Sequence, residues 1–156
     1  MNGFYRYLAI IFVLAMLFTK VGNIQAQITI PAGVLSIFNE KYPGSTEIVW
    51  QKSLFKYVAS FKNANSELCL IEFSSSGNWK YTKSEILYKD LPKEIIKTYE
   101  NSLYEAANGW SVSGVDKFES PDIPFAYRIH IHKGAINKKA VYIAETGKMI
   151  KIENDL

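Results

Sequence analysis

The chain repeats itself, and a repeat limits what it can fold into more than any single residue does. Ile30-Pro31-Ala32-Gly33-Val34-Leu35-Ser36-Ile37-Phe38 aligns with Leu91-Pro92-Lys93-Glu94-Ile95-Ile96-Lys97-Thr98-Tyr99. In that register Val34 falls on Ile95, Leu35 on Ile96, Phe38 on Tyr99 and Tyr42 on Leu103. A proline opens each stretch, where its missing N–H is harmless and its fixed φ suits a first helical turn. Apolar residues then recur at helical spacing and form one buried stripe. Each stretch is predicted to be a short helix, ending near Pro43-Gly44 in the first copy and Asn108-Gly109 in the second.

Strands are predicted to follow each helix. In the first half they cover residues 47–52, 55–61 and 68–73, with a short fourth over 79–81; in the second, residues 110–118, 125–131, 140–144 and 149–152. Phe55 matches Phe125, Tyr57 matches Tyr127, Ala59 matches Ile129 and Phe61 matches Ile131. Ile71 falls on Val141, Phe73 on Ile143 and Gly77 on Gly147. The second copy is longer between its helix and its second strand, and loops tolerate such length best, so an insertion is expected around residues 119–124.

The fold class that follows is α+β. It comprises two tandem αβββ(β) repeats, about 29–88 and about 89–156, whose antiparallel sheet carries the helices on one face and leaves the other open. Side chains alternate across a strand. Phe55, Tyr57, Ala59, Phe61, Phe125, Tyr127, Ile129 and Ile131 are therefore expected to meet the helices. Val58, Ser60, Arg128, His130 and His132 point the other way, and the same parity puts Leu68, Leu70, Ala140 and Tyr142 on that open side. An antiparallel sheet can leave one face in water, but this face is more apolar than solvent alone requires.

Ahead of the repeats, residues 1–26 read as a cleavable signal peptide. Arg6 precedes the unbroken apolar run Leu8 to Phe18, and Ala26 supplies the small residue at a cut before Gln27. The run is too short for a bilayer core that needs about 20 residues. Residues 27–156 are then expected to form one domain, exported to the periplasm or secreted, with no membrane anchor.

Two of the cations behind the formal charge of +3, Arg6 and Lys20, lie within this leader, so the mature part is close to neutral. Its lysines are dispersed, and nucleic-acid binding would need them concentrated. Cys69 is the one cysteine. It sits in the β-favouring run Leu68-Cys69-Leu70-Ile71 and reads as a buried, inert thiol.

Several short strings, in order, resemble one known family: Pro31, Phe38 and Tyr42-Pro43-Gly44; Ile48-Val49-Trp50; Tyr57-Val58-Ala59-Ser60-Phe61; Phe73, Gly77-Asn78-Trp79; and Asp90-Leu91-Pro92 between the copies. Together they are similar to the PepSY-like family of β-lactamase-inhibitor-like exported bacterial proteins, over residues 30–149. The resemblance implies a tandem αβββ-type fold and a role in binding or inhibiting an enzyme through the open face of a sheet. Ala59 departs from the larger β-branched residue usual there, and the insertion around residues 119–124 is a second departure.

Chemistry-bearing residues are sparse. His130 and His132 lie two apart on one strand and could share a metal, but such a site needs a third ligand, and Glu145 is the one nearby acid the sequence offers. The pair is a weak candidate, and no cofactor or catalytic residue is assigned. Ser74-Ser75-Ser76-Gly77 is a turn, with no base to activate a serine. Trp50, Trp79, Tyr81, Trp110 and Tyr142 are less constrained by core periodicity and could serve as interface anchors. The expected function is a non-enzymatic module that binds a protein partner through Val58, Ser60, Leu68, Leu70, Arg128, His130 and Tyr142. The other reading left open is a small-ligand-binding or envelope-sensing domain whose sheet curls around a hydrophobic ligand.

Overall fold

A computed structural model describes residues 28–155. The expected leader and its cleavage site lie outside the described residues. Helix α1 (Ala32–Lys41) leads into strands β1 (Thr46–Lys52), β2 (Lys56–Lys62), β3 (Leu68–Ser74) and β4 (Trp79–Ile86). Helix α2 (Lys93–Glu100) is followed by β5 (Ser111–Ser120), β6 (Ile123–Lys133), β7 (Asn137–Ile143) and β8 (Met149–Asn154). The eight strands form one sheet in chain order, β1 to β8, every pair antiparallel. The fold is α+β, an open sheet whose edges are β1 and β8.

Both helices begin at their prolines. Pro31 and Pro92 sit immediately before the first helical residue, at φ −58° and −57°. The carbonyl of Pro31 accepts from the N–H groups of Val34 and Leu35, and that of Pro92 from Ile95 and Ile96. The apolar stripes then do what their spacing demands. Val34 and Phe38 are buried with Tyr57, Ala59, Phe61, Cys69, Ile71 and Phe73 in one cluster. Ile95 and Tyr99 are buried with Val115, Tyr127, Ile129, Ile131, Val141 and Ile143 in another. The register Ile71↔Thr82, Ser84↔Lys117 and Lys117↔Tyr127 shows that both clusters lie on the same face of the sheet.

Gly77 and Gly147 seat the helices. Both lie in the left-handed region, at φ +88° and +83°, where a side chain is strained. A Cβ at Gly77 would stand 3.4 Å from Val34 Cγ2 of α1, and one at Gly147 3.6 Å from Glu94 and Thr98 of α2. Thr98 Oγ1 also donates to the Gly147 carbonyl at 2.7 Å. Each glycine turn is thus the floor on which a helix rests.

The structure corrects four expectations. Phe55 does not face a helix: it lies in the β1–β2 turn, ahead of β2, and is 79% exposed. Leu103 does not reproduce Tyr42, because α2 ends at Glu100 and leaves Leu103 in solvent. The extra length of the second half is not at residues 119–124, where β5 and β6 close through the tight turn at Pro121-Asp122. It lies in residues 101–110, around a 3₁₀ turn at Ala106–Asn108, and in the longer β5 and β6. Finally, β4 is no short strand: it runs to Ile86 and joins β3 to β5.

Candidate functional site

The face away from the helices divides into two zones along β4. On the first, Val58 and Ser60 of β2 and Leu70 of β3 are half-buried, and Leu68 is 68% exposed. Ser60 lies opposite Leu70, and Leu70 opposite Lys83, so the residues sit side by side. Ser60, Leu68 and Leu70, with Lys83, Glu85 and Ile86, line a groove of about 420 Å³. Charges in this zone are matched in place: Lys56 Nζ donates to Glu72 Oε2 at 2.8 Å, and Lys62 Nζ to Glu47 Oε1 at 2.7 Å.

The second zone is built around Asp116, a residue that no motif or periodicity singles out. It lies opposite Glu85 on β4 and opposite Arg128 on β6, and it is only 2% exposed. Arg128 Nε donates to its Oδ1 at 3.0 Å and Nη2 to its Oδ2 at 2.8 Å, a two-point grip. His130 Nε2 stands 3.0 Å from the same Oδ2, while His130 Nδ1 stands 2.6 Å from Oδ2 of Asp155, the residue after β8. A neutral imidazole has one N–H, so both contacts are hydrogen bonds only when the ring is protonated. The bond to Asp116 raises the His130 pKa above its ordinary value against the opposing effect of burial, and Asp155 adds to it.

Aromatic rings close the remainder of this zone. Tyr81 stacks on Phe118 with centroids 5.7 Å apart, and Phe118 meets Tyr142 edge-on at 5.2 Å. The Arg128 guanidinium lies 4.4 Å from the Phe118 ring centre, and Lys151 Nζ 4.5 Å from that of Tyr142. Tyr81 donates to Glu72 and Tyr142 to Glu153. Burial, with those carboxylates, pushes both phenols up to about 12.

Of the residues expected to contact a partner, Arg128, His130 and Tyr142 converge in this second zone, while Val58, Ser60, Leu68 and Leu70 line the first. Tyr142 is not exposed, contrary to its expected place as a contact: at 2% it is buried with Phe118, Ile123, Ala126 and Ala140 in a third apolar cluster. The reason is size: Ala126 and Ala140 are too small to fill the face alone, and Phe118, Tyr81 and Tyr142 pack with them. Parity put these residues on the correct face but could not show that the face covers part of itself. Trp50, Trp79 and Trp110 also have packing partners, in Phe38, Lys41 and Tyr104.

The histidine pair does not meet at a metal site. Both His130 nitrogens face carboxylates, and His132 turns its Nδ1 toward the Gly134 carbonyl. The acids beside His130 are Asp116 and Asp155 rather than Glu145. Among the described residues no group of three or more His, Cys, Asp or Glu side chains is disposed to hold a metal ion. No helix of the described residues is long and apolar enough to cross a membrane.

The second groove, about 430 Å³, is lined by Lys83, Glu85, Asp116, His130, Lys138 and Asp155 among others, and shares Lys83, Glu85 and Ile86 with the first. The shared residues lie on β4, so the two grooves adjoin there.

Solved structures share this architecture. A BLIP-like protein from Bacteroides fragilis superposes with a TM-score of 0.65 at 21% identity, over 83% of this chain and 89% of that one. A DUF2874 family protein from Bacteroides ovatus gives 0.62 at 22%, over 81% and 89%. A protein from Bacteroides eggerthii described as "putative periplasmic" gives 0.58 at 19%, over 81% and 90%. At such identities the likeness is one of fold. No curated protein matches the chain. The sequence profile of one family matches residues 55–151, which include β2 through the first half of β8, and the chain therefore belongs to the family described as "Putative beta-lactamase-inhibitor-like, PepSY-like".

Proposed function

We propose that the protein is an exported, non-enzymatic binding module that engages another protein through the open face of its sheet. The observation that carries this reading is the first zone: Leu68 stands mostly in solvent beside half-buried Leu70 and Val58, flanked by charges already paired with one another. Exposed apolar surface rimmed by satisfied polar groups marks protein contact surfaces. Both grooves are partly open to solvent, which leaves room for a broad partner surface. The BLIP-like neighbour supports an inhibitory role for such a face, with an envelope or secreted enzyme as the partner.

The second zone serves this reading as a rigid flank. Arg128, His130 and Tyr142 act by holding the sheet's shape, with Arg128 and His130 partly accessible at the rim. The duplicated architecture belongs to the same proposal. Each helix is followed by four antiparallel strands, and Val34/Ile95, Phe38/Tyr99, Tyr57/Tyr127 and Ile71/Val141 are buried at matching places. Two tandem copies would give one long face instead of two short ones. The signal peptide over residues 1–26 and a periplasmic or secreted destination complete it.

The test is affinity capture from envelope extract with the wild-type protein and with Leu68→Glu/Leu70→Glu. A partner retained by the first and lost by the second supports the assignment. One held equally by both overturns it.

A further inference from the structure

The His130 cluster joins strands β5 and β6 and the segment after β8 through one ring. We propose that protonated His130 is a latch that straps Asp155 across the groove of the open face, and that it opens when the ring loses its proton. Asp155 is otherwise lightly held. Its N–H donates to the Lys138 carbonyl at 3.1 Å, and the strand it follows is a sheet edge.

Which contact breaks follows from burial. On losing its proton, the ring keeps one N–H for two carboxylates. Asp116 is 2% exposed and locked to Arg128, so leaving it short of a donor there carries a large desolvation penalty. The Asp155 side chain is 33% exposed and can turn to water at little cost. The proton therefore stays toward Asp116, and Asp155 leaves. The unprotonated Nδ1 then faces the carboxylate lone pairs, which adds repulsion to the loss.

Other charges bear on the ring. On its own strand, Arg128 disfavours the proton and His132 lies one pleat away; from β4, Lys83 and Glu85 line the same groove. Lys138 of β7 lies opposite His132, and Glu153 of β8 opposite Ala140, the neighbour of His130. Asp116 and Asp155 are the two that touch it, and both favour the proton.

The consequence is regulation of the proposed binding face, a consequence that rests on that reading of the face, whereas the latch itself does not. Below about pH 6.5, the ordinary histidine value, Asp155 walls the second groove; above the raised His130 midpoint it swings clear.

The experiment is an NMR pH titration of the His130 ring together with hydrogen exchange of the Asp155 amide, in the wild type and in Asp155→Asn. The latch predicts a wild-type midpoint that falls by roughly one unit in the variant. It also predicts that Asp155 exchange, corrected for intrinsic base catalysis, rises through the same transition as the ring. A midpoint unmoved by Asp155→Asn, or exchange flat across the titration, overturns it. Capture with the Leu68/Leu70 variant tests the face separately, so failure of the latch and failure of the binding reading give different results.

Discussion

Arg128 grips Asp116 directly across the β5–β6 pair, and the gripped carboxylate is among the most deeply buried side chains in the protein. A buried ion pair of this kind is weak evidence of net stabilisation, but breaking one partner is costly because the other charge remains in a dry site. Asp116→Ala is expected to lower unfolding stability by about 3 kcal/mol, with the urea midpoint as the readout. Replacing both partners by apolar residues, as in Asp116→Leu with Arg128→Met, is expected to cost much less than the single change. Additive losses would mean that the pair is not coupled.

The pH dependence of stability has a definite sign at each end. His130 has a folded pKa raised above its unfolded value, so its contribution is complete below about pH 6.5 and is lost as pH climbs through the raised value. Glu67 and Glu153 have lowered folded values, chiefly from hydrogen bonds to Lys117 and Lys151. Their contribution is present above the unfolded carboxylate value of about 4.3 and is lost as pH falls through the folded one. Thermal unfolding should therefore be most resistant in mildly acidic buffer. His130→Gln should remove the decline that begins above about pH 6.5, and leave in place the acid limb and the later decline that the raised Tyr81, Tyr99 and Tyr142 phenols bring above about pH 10.

Much of this fold is legible in the pattern of residues. The prolines at 31 and 92 and the four-step apolar spacing behind them require helices, and strict alternation in Tyr57-Val58-Ala59-Ser60-Phe61 places a half-covered strand. The strands whose bounds shifted most are those whose polarity follows from position in the sheet. Thr82-Lys83-Ser84-Glu85 carries no apolar alternation because β4 lies between the two helix-covered clusters, where no apolar stripe is required. Asp116 was invisible for a related reason. An acid between Val115 and Lys117 looks like a solvent-facing strand residue until the register sets it opposite Arg128. Register depends on pairing, which periodicity within one strand does not carry.

The two glycine turns make a matched pair of tests. Gly77→Ala and Gly147→Ala each force a side chain to positive φ, at a cost of about 1 kcal/mol. At Gly77 the new methyl would also stand 3.4 Å from Val34, at the near limit of ordinary contact, and that side chain is buried in the first cluster. At Gly147 the neighbours are Glu94 and Thr98, at an ordinary contact distance. Gly77→Ala should therefore lower the melting temperature more than Gly147→Ala does, as scanning calorimetry can show.

Cys69 reports on opening of the first half. Its thiol is buried, burial pushes its pKa up, and Sγ donates weakly to the Glu67 carbonyl at 3.5 Å. Thiolate is the reacting species, so native Cys69 is expected to alkylate slowly near neutral pH. Its labelling rate should rise in step with unfolding as denaturant is added. Rapid labelling in native buffer would show that the β3 side of the sheet opens locally.

The two zones of the open face should separate stability from recognition. Leu68 is mostly in solvent, and exposed positions away from caps and buried networks usually change stability by less than about 0.5 kcal/mol. Phe118 lies on the same face but is buried, with Tyr81 stacked on one side, Tyr142 edge-on and Arg128 above its ring. Phe118→Ala removes those contacts and leaves a cavity next to Ala126 and Ala140, which cannot fill it, so a loss of about 3 kcal/mol is expected. Leu68→Ser should leave the unfolding midpoint where it was and weaken any partner that capture identifies. If Leu68→Ser instead destabilised the protein as much as Phe118→Ala, the first zone would be part of the core and could not be a free surface for a partner.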